Sequence, residues 1–489
     1  MTTAPRTSQS AAPGTSSTAA CRATSGPSAH LHDVIVVGAG LSGLTAARTL
    51  GDAGLDVLVL EARGRVAGRN ENGVFSTGQP IELGGQWVGP TQDAVLALID
   101  ELGLQTFTVH DEGASLLAAA GEIRRGEGDT FGLAPESAAE FGRLVALIDQ
   151  TCAGIDLAAP WESHDAARLD RMTTAEWLVE ATADRHVRHF MEVMLASIFA
   201  AEAEEYSALH CLFYLASGGG LHRMMITIGG AQEARVLGGT HQISEQLAAR
   251  LGDRVLLDHE VTGIDHNGAD DHVGENLAGG VTVHTVRGAF RARRVVVALP
   301  PVLAGRLRYA PALPANRDAL TAQMPAGNVH KFQVLYPTPF WRAEGLSGTV
   351  LSLDHDVSLV YDNCVPDSDA GILVAFVEGH HAKAYNDLSE DERAARVLDD
   401  LAAYFGEAAR TPTDLLQRNW SAEPFTRGCY GGRLGTGLWT HLGRELRRPC
   451  GSLHWAGAET AEVWNGYMDG AIRSGQRAAD EVLTAIRGN

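Results

Sequence analysis

A strand, a glycine-rich turn, a helix and a second strand follow one another in the segment HDVIVVGAGLSGLTAARTLGDAGLDVLVLEAR, residues 32–63. Val34 to Val37 form a continuous apolar run, as a parallel strand buried on both faces requires. Gly38, Gly40 and Gly43 then fit the spacing G-x-G-x-x-G. The first glycine permits the turn, the second lets the backbone approach a pyrophosphate, and the third lets the helix pack on the strand. The segment therefore predicts an α/β fold with a Rossmann-like nucleotide site.

An acidic residue completes the pattern. Glu61 ends the second strand, where its carboxylate can accept hydrogen bonds from ribose hydroxyls, while the first amides of the helix face the phosphates. A glycine-rich turn in any α/β protein is the plain alternative. Because strand, helix, second strand and acid are all in register, we favour dinucleotide binding, although the pattern does not say which dinucleotide binds.

Length and charge limit the remaining possibilities. A chain of 489 residues with 45% apolar residues is expected to divide into about two domains. The formal net charge of −21 argues against nucleic acid or an anionic membrane as the main partner, and it mildly attracts a cationic small molecule. The six cysteines show no CxxC pair or zinc-ligand spacing, which predicts a reduced compartment, no disulfide framework and no structural metal.

The composition of the N-terminal residues and the length of the apolar runs bear on the expected location of the protein. Residues 1–30 are rich in Ser, Thr, Ala and Pro and lack the apolar core of a signal peptide, so we expect a disordered tail. No run of about 20 apolar residues could span a bilayer, which predicts a cytoplasmic protein that is not in a membrane. The segment DHNGADDHVGENLAGG, residues 265–280, is expected to be an exposed loop.

The residues that follow the nucleotide-binding segment resemble those of a known family. EARGRVAGRN at 61–70 and ELGGQWVGP at 82–90 resemble the FAD-binding start of the flavin amine oxidases, and the likeness is closest to the monoamine oxidases. Further stretches have counterparts in family order, so that essentially all of the chain after residue 31 is covered: residues 83–107, 234–261, 295–301, 330–341 and 454–483. The departures are Ala67 and Asn70, where the family usually shows a glycine and a threonine.

The resemblance implies a two-domain architecture of the α/β class. Its FAD-binding domain would be assembled from residues 31–106, 237–311 and 423–489. A substrate domain of mixed sheet and helices would comprise residues 107–236 and 312–422. Two helix starts in the substrate domain are visible in the sequence itself, as the capping-box pairs Thr173 with Glu176 and Ser389 with Glu392.

The resemblance also implies FAD as cofactor, with contacts that can be assigned by position. They are Gly38, Gly40, Ser42, Gly43, Glu61, Arg63, Arg69, Gly85, Gln86, Trp87, Val261, Trp420, Cys429, Glu459 and Met468. In monoamine oxidases the cysteine before the first cage tyrosine is bonded to the flavin 8α carbon through sulfur, and Cys429 occupies that position in the motif GCY. A buried free cysteine is the alternative, since relatives also bind FAD without a covalent link.

Three residues match the catalytic positions of the family. Lys331, in VHKFQVLY, corresponds to the lysine that holds a water against flavin N5 and assists the reaction with oxygen. A solvated strand lysine is the plain alternative, but a positive charge beside developing superoxide is physically sensible. Tyr430 and Tyr467 match the aromatic cage, in which two rings leave a slot for the amine. The expected partners are therefore a small amine and O2, while a homodimer stays open.

The substrate is defined less closely. The residues that match the family's cavity wall and gate are mostly apolar, and they favour an arylalkyl or aliphatic primary monoamine: Ser197, Ile198, Met225, Gln232 and Leu346. A diamine or polyamine would need a buried carboxylate for its second charge, and an L-amino-acid oxidase would need an arginine for the substrate carboxylate. A nicotinamide-dependent dehydrogenase explains only the glycine turn, and a non-catalytic flavin-binding module needs neither the cage nor Lys331.

Overall fold

The computed structural model describes residues 30–126, 132–266 and 280–488, so the expected tail and most of the expected loop at 265–280 lie outside the described residues. The described strands are β1 (Leu31–Val37), β2 (Val57–Leu60), β3 (Asn72–Val74), β4 (Pro80–Glu82), β5 (Trp87–Val88), β6 (Thr106–Thr108), β7 (Ala114–Ala119), β8 (Glu122–Gly126), β9 (Ala234–Val236), β10 (Val255–Leu256), β11 (Val261–Asp265), β12 (Val281–Thr285), β13 (Gly288–Val297), β14 (Arg308–Ala310), β15 (Val329–Tyr336), β16 (Leu346–Ser352), β17 (Leu359–Asp362), β18 (Gly371–Glu378), β19 (Asp414–Asn419) and β20 (Leu453–Trp455).

The strands form two large sheets, which helices cover, and two small ones, β3-β4 and β5-β9-β6. The described α-helices are α1 (Leu41–Asp52), α2 (Asp93–Glu101), α3 (Pro135–Cys152), α4 (Ala166–Leu169), α5 (Thr174–Ala181), α6 (Arg185–Phe199), α7 (Ala208–Ser217), α8 (Leu221–Met225), α9 (His241–Leu251), α10 (Pro301–Ala304), α11 (Ala315–Ala322), α12 (Phe340–Ala343), α13 (Gly379–Tyr385), α14 (Glu390–Phe405), α15 (Leu438–Leu442) and α16 (Met468–Arg487). Among them, no helix is long and apolar enough to cross a bilayer.

The first sheet carries the nucleotide segment. Its strand order is β10-β2-β1-β13-β12-β11-β14, with β20 paired to β13, and β1 lies parallel to both β2 and β13. Val34, Ile35 and Val36 are fully buried, because helices cover one face and an apolar layer the other. The helices α1 and α16 pack so closely that a methyl group on Gly475 would lie 2.3 Å from the backbone oxygen of Ser42. The expected α/β fold class is confirmed.

The second sheet is mostly antiparallel, in the order β19-β15-β18-β17-β16-β7-β8. Every residue of β15 and β18 is buried, and their register places Lys331 opposite Phe376 and Val329 opposite Glu378. Residues directly opposite in an antiparallel pair lie on the same face of the sheet. One face of β15, with Phe332, packs against α13 and α14, while the other face, with Lys331, turns towards a cavity.

Local capping signals form as the sequence predicts. The Thr173 and Glu176 pair closes a reciprocal capping box at the start of α5, and Ser389 and Glu392 do the same for α14. Each box satisfies two amides that a helix start would otherwise leave without a partner. These predictions are confirmed, and they concern the scaffold rather than the site.

Candidate active site

The turn between β1 and α1 builds one end of the site. Gly38 has a φ of +100°, which favours glycine, and a methyl group on Gly43 would lie 2.0 Å from the Gly38 backbone oxygen. A methyl group on Gly40 would meet no protein atom within 4 Å. Because no side chain caps the start of α1, its first amides stay available to an anion.

Glu61 lies buried beneath this turn. One carboxylate oxygen accepts a hydrogen bond from the Ala39 amide at 2.8 Å, and the other accepts one from the Arg63 amide at 2.9 Å. The Arg63 guanidinium in turn donates to Glu423 at 3.0 Å and to Thr426 at 2.8 Å. Each oxygen of Glu61 keeps a lone pair for a further donor. The carboxylate is thus held in place without being saturated.

A cavity of about 820 Å³ extends from this turn to the inner face of β15 and β18. Most of the expected site residues line it: Gly38, Gly40, Ser42, Glu61, Arg63, Arg69, Gly85, Gln86, Trp87, Ser197, Ile198, Gln232, Val261, Lys331, Trp420, Cys429, Tyr430, Tyr467 and Met468. The others lie off its wall: Gly43, Met225, Leu346 and Glu459. Residues far apart in the chain therefore meet around one space.

The chemistry of the wall changes from one end to the other, and it fits FAD. Open space at Gly40, beside the uncapped start of α1, suits a pyrophosphate, and the carboxylate of Glu61 suits ribose hydroxyls. The other end is aromatic and apolar around Trp420, Tyr430 and Tyr467, which suits a flat ring system. Trp420 is fixed there by a 3.0 Å hydrogen bond from its indole nitrogen to the backbone oxygen of Leu83.

Arg69 and Glu459 act as a pair. The guanidinium donates to both carboxylate oxygens of Glu459, at 2.8 and 3.0 Å, and to the backbone oxygen of Tyr430 at 2.5 Å. Burial opposes the charge of Arg69, but the adjacent carboxylate of Glu459 raises the pKa of Arg69 above its usual value. Glu459 therefore acts through Arg69, which explains why it belongs to the site without lining the cavity.

The two departures from the family pattern have visible structural consequences. Ala67 lines the cavity with a φ of +79°, a conformation that favours glycine. The amide of Asn70 donates to the backbone oxygen of Gly85 at 3.3 Å and to the Thr240 hydroxyl at 3.2 Å, and it lies 2.7 Å from the sulfur of Met468. Asn70 thus ties the LGG turn to the start of α16.

Lys331 projects from β15 into the site and is 3% exposed. Its ammonium donates to the backbone oxygen of Gly84 at 2.8 Å and to the side-chain oxygen of Gln86. The rings of Trp87 and Phe376 each lie 5.8 Å from its nitrogen. Burial lowers the pKa of Lys331 to about 7, because an apolar wall disfavours the ammonium form. Two of the three N–H bonds of the ammonium are occupied, so one remains for a molecule in the cavity.

A buried polar chain continues from Gln86 away from the cavity. Gln86 donates to Asn363 at 2.7 Å, Asn363 donates to Gln333 at 2.9 Å, and Gln333 donates to the backbone oxygen of Glu82 at 2.7 Å. The chain ends at an ion pair between Glu82 and Arg235, each about 2% exposed. Sequence reasoning missed this chain, since uncharged amides on separate segments give no local pattern.

The two expected cage tyrosines both line the cavity, but their neighbours differ. Tyr467 packs edge to face on Trp464, with ring centroids 4.9 Å apart, and Tyr214 approaches it at 6.1 Å. The hydroxyl of Tyr430 donates to the carboxyl group of Glu378 at 2.8 Å. Burial raises the pKa of both tyrosines, so both hydroxyls stay protonated.

Several wall residues were not expected from the sequence. Tyr214, Leu359, Tyr361 and Phe376 line the aromatic end of the cavity, and Glu378 lies directly behind Tyr430. The alternation of strand β18 carries a signal that could have found Phe376 and Glu378, because they share a face with Lys331 across the pair. Tyr214 and Tyr361 look like ordinary core aromatics until the tertiary structure brings them to the cavity.

Cys429 lies on the cavity wall and is 5% exposed. Burial raises the pKa of its thiol to about 12, although Arg69, Lys331 and Arg63 nearby act in the opposite direction. The thiol is therefore protonated and in reach of the space that the ring end of the cavity provides. Covalent attachment of FAD through Cys429 stays a prediction.

Met225 and Leu346 are not brought to the cavity, contrary to their expected place in its wall. Leu346 starts β16 and packs in the same cluster as Phe332, on the face of the sheet opposite to Lys331. Met225 ends α8 and packs against the helical core. Gln232, by contrast, does line the cavity, and its amide donates to the Met224 backbone oxygen at 3.3 Å.

Comparison with known proteins agrees with this geometry. Residues 41–483 match the family model described as flavin containing amine oxidoreductase. The AofH protein of Mycobacterium tuberculosis, named as a flavin-containing monoamine oxidase, is 40% identical over 454 residues, covering 93% of this chain and 97% of its own length. Flavin-containing amine oxidase B of Sus scrofa is 34% identical over 458 residues, which cover 93% of this chain and 86% of that protein.

Solved structures show the same likeness. A putrescine oxidase bound to putrescine superposes with a TM-score of 0.88 at 36% identity, covering 93% of this chain and 99% of that one. The cyclohexylamine oxidase from Brevibacterium oxydans IH-35A gives 0.87 at 31% identity, covering 94% of this chain and 100% of that one. This chain therefore belongs to the flavin-containing amine oxidoreductase family, and it is an FAD-dependent amine oxidase.

Proposed function

We propose that the protein oxidises a primary monoamine, of arylalkyl or aliphatic type, to an aldehyde with release of ammonia and hydrogen peroxide. The overall reaction consumes the amine, one O2 and one water. The single observation that carries the proposal is the aromatic end of the cavity, where Lys331, Tyr430 and Tyr467 face the same space. When bound, FAD would accept a hydride equivalent from the amine and pass the electrons to oxygen.

The residues of this chain would bind and orient the amine. Tyr430 and Tyr467 would flank it, and Trp87, Ile198 and Tyr361 would contact its hydrocarbon part. The dry, aromatic wall disfavours an ammonium group and so favours the neutral amine that the reaction needs. The free N–H of Lys331 would hold a water or stabilise negative charge on oxygen at the same end of the cavity.

The charges on the wall favour a monoamine over a diamine. Glu61 and Glu260 are the only acidic residues that line the cavity among the described residues, and both lie in the nucleotide-binding segments. A second ammonium at the aromatic end would therefore meet aromatic and apolar side chains rather than a carboxylate. The likeness to a putrescine oxidase keeps a diamine as the second candidate.

An amino-acid substrate is less well supported. The carboxylate of an amino acid would need a free arginine near the cage. Arg69 contacts Tyr430, but its guanidinium already donates to both carboxylate oxygens of Glu459. A non-catalytic flavin-binding protein is disfavoured by Lys331, because this lysine is 3% exposed beside the cage and keeps one N–H for a molecule in the cavity, which a scaffold does not need.

The test is peroxide release in air from the FAD-loaded protein, offered matched pairs of substrates. The pairs are phenethylamine with phenylalanine, tyramine with tyrosine, and putrescine with ornithine. Turnover of the arylalkyl amines alone supports the proposal. Preference for putrescine would establish the diamine candidate, and turnover of the amino acids alone would overturn the assignment of the cage.

We further infer a cytoplasmic location from the sequence, which leaves a homodimer open. Cell fractionation tests the first and sedimentation velocity the second. Attachment of FAD to Cys429 belongs to the same group of proposals, and it is supported by the place of the thiol on the cavity wall.

A further inference from the structure

A buried carboxyl group lies behind the amine cage. Glu378 is the last residue of β18 and is 4% exposed. It is directly opposite Val329, two residues before Lys331 on β15, and so it projects from the same face of the sheet as Lys331. Glu378 does not line the cavity, but Tyr430 does, and it donates its hydroxyl to Glu378 at 2.8 Å.

Among the described residues, hydroxyls and a second acid are the groups that act most strongly on Glu378. The Ser358 hydroxyl, before β17, lies at 3.4 Å, and the Ser197 hydroxyl of α6 also interacts with the carboxyl group. The carboxylate of Glu202 also acts on Glu378, and Tyr361 of β17 faces it as a neutral phenol. No ion pair involves Glu378 in the part of the chain that the structure describes.

An acid in this environment favours its neutral form. Burial raises the pKa of Glu378 to about 8, and the hydrogen bonds from Tyr430, Ser197 and Ser358 only partly offset that effect. Near neutral pH the carboxyl group is therefore protonated, and it accepts from Tyr430 while keeping a proton of its own to donate. Such a group can hold a neighbour in place without leaving a charge beside the amine.

Tyr430 is thereby held at two points, its backbone oxygen and its hydroxyl. Arg69 donates to its backbone oxygen at 2.5 Å, and Glu378 accepts from its hydroxyl at 2.8 Å. Without the second contact, the hydroxyl would have to find another partner in a buried place, and the ring would be free to turn about its side-chain bonds. The width of the slot between Tyr430 and Tyr467 depends on that orientation.

Resting on the proposed function, we propose that Glu378 is a positioning residue of the amine site, which orients the ring of Tyr430 through its hydroxyl. Glu378 itself does not touch the amine. The alternative, in which Glu378 binds the second ammonium of a diamine, requires the carboxyl group to reach the cavity, and Glu378 is not part of the cavity wall.

The test compares Glu378→Leu, Glu378→Gln, Tyr430→Phe and the double variant Glu378→Leu with Tyr430→Phe, all loaded with FAD. One readout needs no turnover: the affinity for α,α-dimethylbenzylamine, which has no hydrogen on its α-carbon and so cannot be oxidised. The second is kcat and KM for phenethylamine and for putrescine.

We expect Glu378→Leu to weaken binding of the unreactive amine and to lower kcat/KM for phenethylamine on the order of 10-fold to 100-fold, because a misplaced ring loses near-attack geometry. Glu378→Gln should recover most of the loss, since an amide oxygen accepts the same hydrogen bond. The double variant should be no worse than Glu378→Leu alone, because both changes break one contact.

Three results would overturn the proposal. These are wild-type affinity in Glu378→Leu, additive losses in the double variant, and a loss in Glu378→Gln that is about 10-fold larger for putrescine than for phenethylamine. The last would show that the carboxyl group binds a second ammonium. Turnover of phenethylamine by the wild type tests the proposed function separately. The affinity of each variant for the unreactive amine, relative to the wild type, does not depend on turnover.

Discussion

Lys331 is the residue whose charge changes nearest to neutral pH in this site. Burial lowers its pKa from 10.5 to about 7, so the ammonium form is present below pH 7 and is lost as the pH rises through that value. The unfolded chain binds this proton up to about pH 10.5, and burial of Lys331 therefore costs stability at low pH, a cost that is relieved between pH 7 and 10.5.

The first prediction follows from that charge. If the ammonium of Lys331 assists oxygen, kcat/KM for O2 should fall as the pH rises through about 7, and Lys331→Met should be about 100-fold slower at pH 6 and insensitive to pH in this range. Stopped-flow reoxidation of the reduced protein measures both. Anaerobic bleaching by the amine shows in parallel whether the loss is confined to the oxygen reaction. A flat profile in the wild type would contradict the assignment.

Covalent attachment of FAD through Cys429 can be tested directly. If its sulfur is bonded to the flavin, acid precipitation of the wild type should leave the yellow colour in the pellet, whereas Cys429→Ala should release it to the supernatant. Absorbance of the two fractions is the measurement. Cys450→Ala is the matched control, because Cys450 is also a buried free thiol but lies away from the cavity. Colour in the wild-type supernatant would show that FAD is held without a covalent bond.

At the scale of elements, the strand, turn and helix at β1 and α1 place two glycines in contrasting surroundings. Gly40 has an extended backbone with a φ of −74°, and a methyl group added to it would lie in open space. A methyl group on Gly43 would instead collide with the Gly38 backbone oxygen at 2.0 Å. One position therefore faces the ligand, and the other holds the helix against the strand.

We predict that Gly40→Ala weakens FAD binding, whereas Gly43→Ala lowers the stability of the fold. Gly40→Ala should fold with near wild-type stability and bind FAD at least about 10-fold more weakly, because its methyl group occupies space that the pyrophosphate needs. Gly43→Ala should lower the free energy of unfolding by about 1–3 kcal/mol, as overpacking does. Urea unfolding of the apo proteins and titration with FAD separate the two effects. Equal stability losses in both variants would contradict the assignment of Gly40.

At the scale of the whole molecule, the cavity wall is assembled from separated parts of the chain. Gly38 to Trp87, Val261 to Leu307, Val329 to Phe376 and Trp420 to Ala471 all contribute to it. Binding of FAD therefore adds contacts that join these separate segments to one another. The division into two domains, with the boundaries that the family resemblance implies, stays a prediction.

Removal of FAD should therefore lower the stability of the whole fold. Apo protein, prepared by expression under riboflavin limitation, should unfold at a lower temperature than the FAD-loaded protein, and added FAD should raise Tm with its concentration. A concentration about 1,000 times the Kd contributes about 4 kcal/mol. Differential scanning fluorimetry measures this shift, and the Gly40→Ala variant is the control that should respond only at higher FAD concentration. A Tm that does not change with FAD concentration would contradict the location of the site.

The sequence is most informative about the nucleotide end of the site, because the signals there are local. Gly38, Gly40 and Gly43 each have a role that the conformation of a single turn decides, and the capping boxes of α5 and α14 depend on residues three positions apart. The family resemblance added Lys331, Tyr430 and Tyr467, which the structure brings to one cavity.

What the sequence could not supply were contacts between distant residues with ordinary local patterns. Leu346 looked like a gate residue, yet the pairing of β16 with β7 leaves it in the core on the far face of the sheet. Glu378 was not singled out from the sequence, and the register with β15 places it next to Tyr430. By itself the sequence determined the fold class through local motifs, and the family resemblance of its motifs indicated FAD and amine oxidation. Only the tertiary structure decided which side chains meet at the amine, because sheet register and the packing of separate segments set those distances.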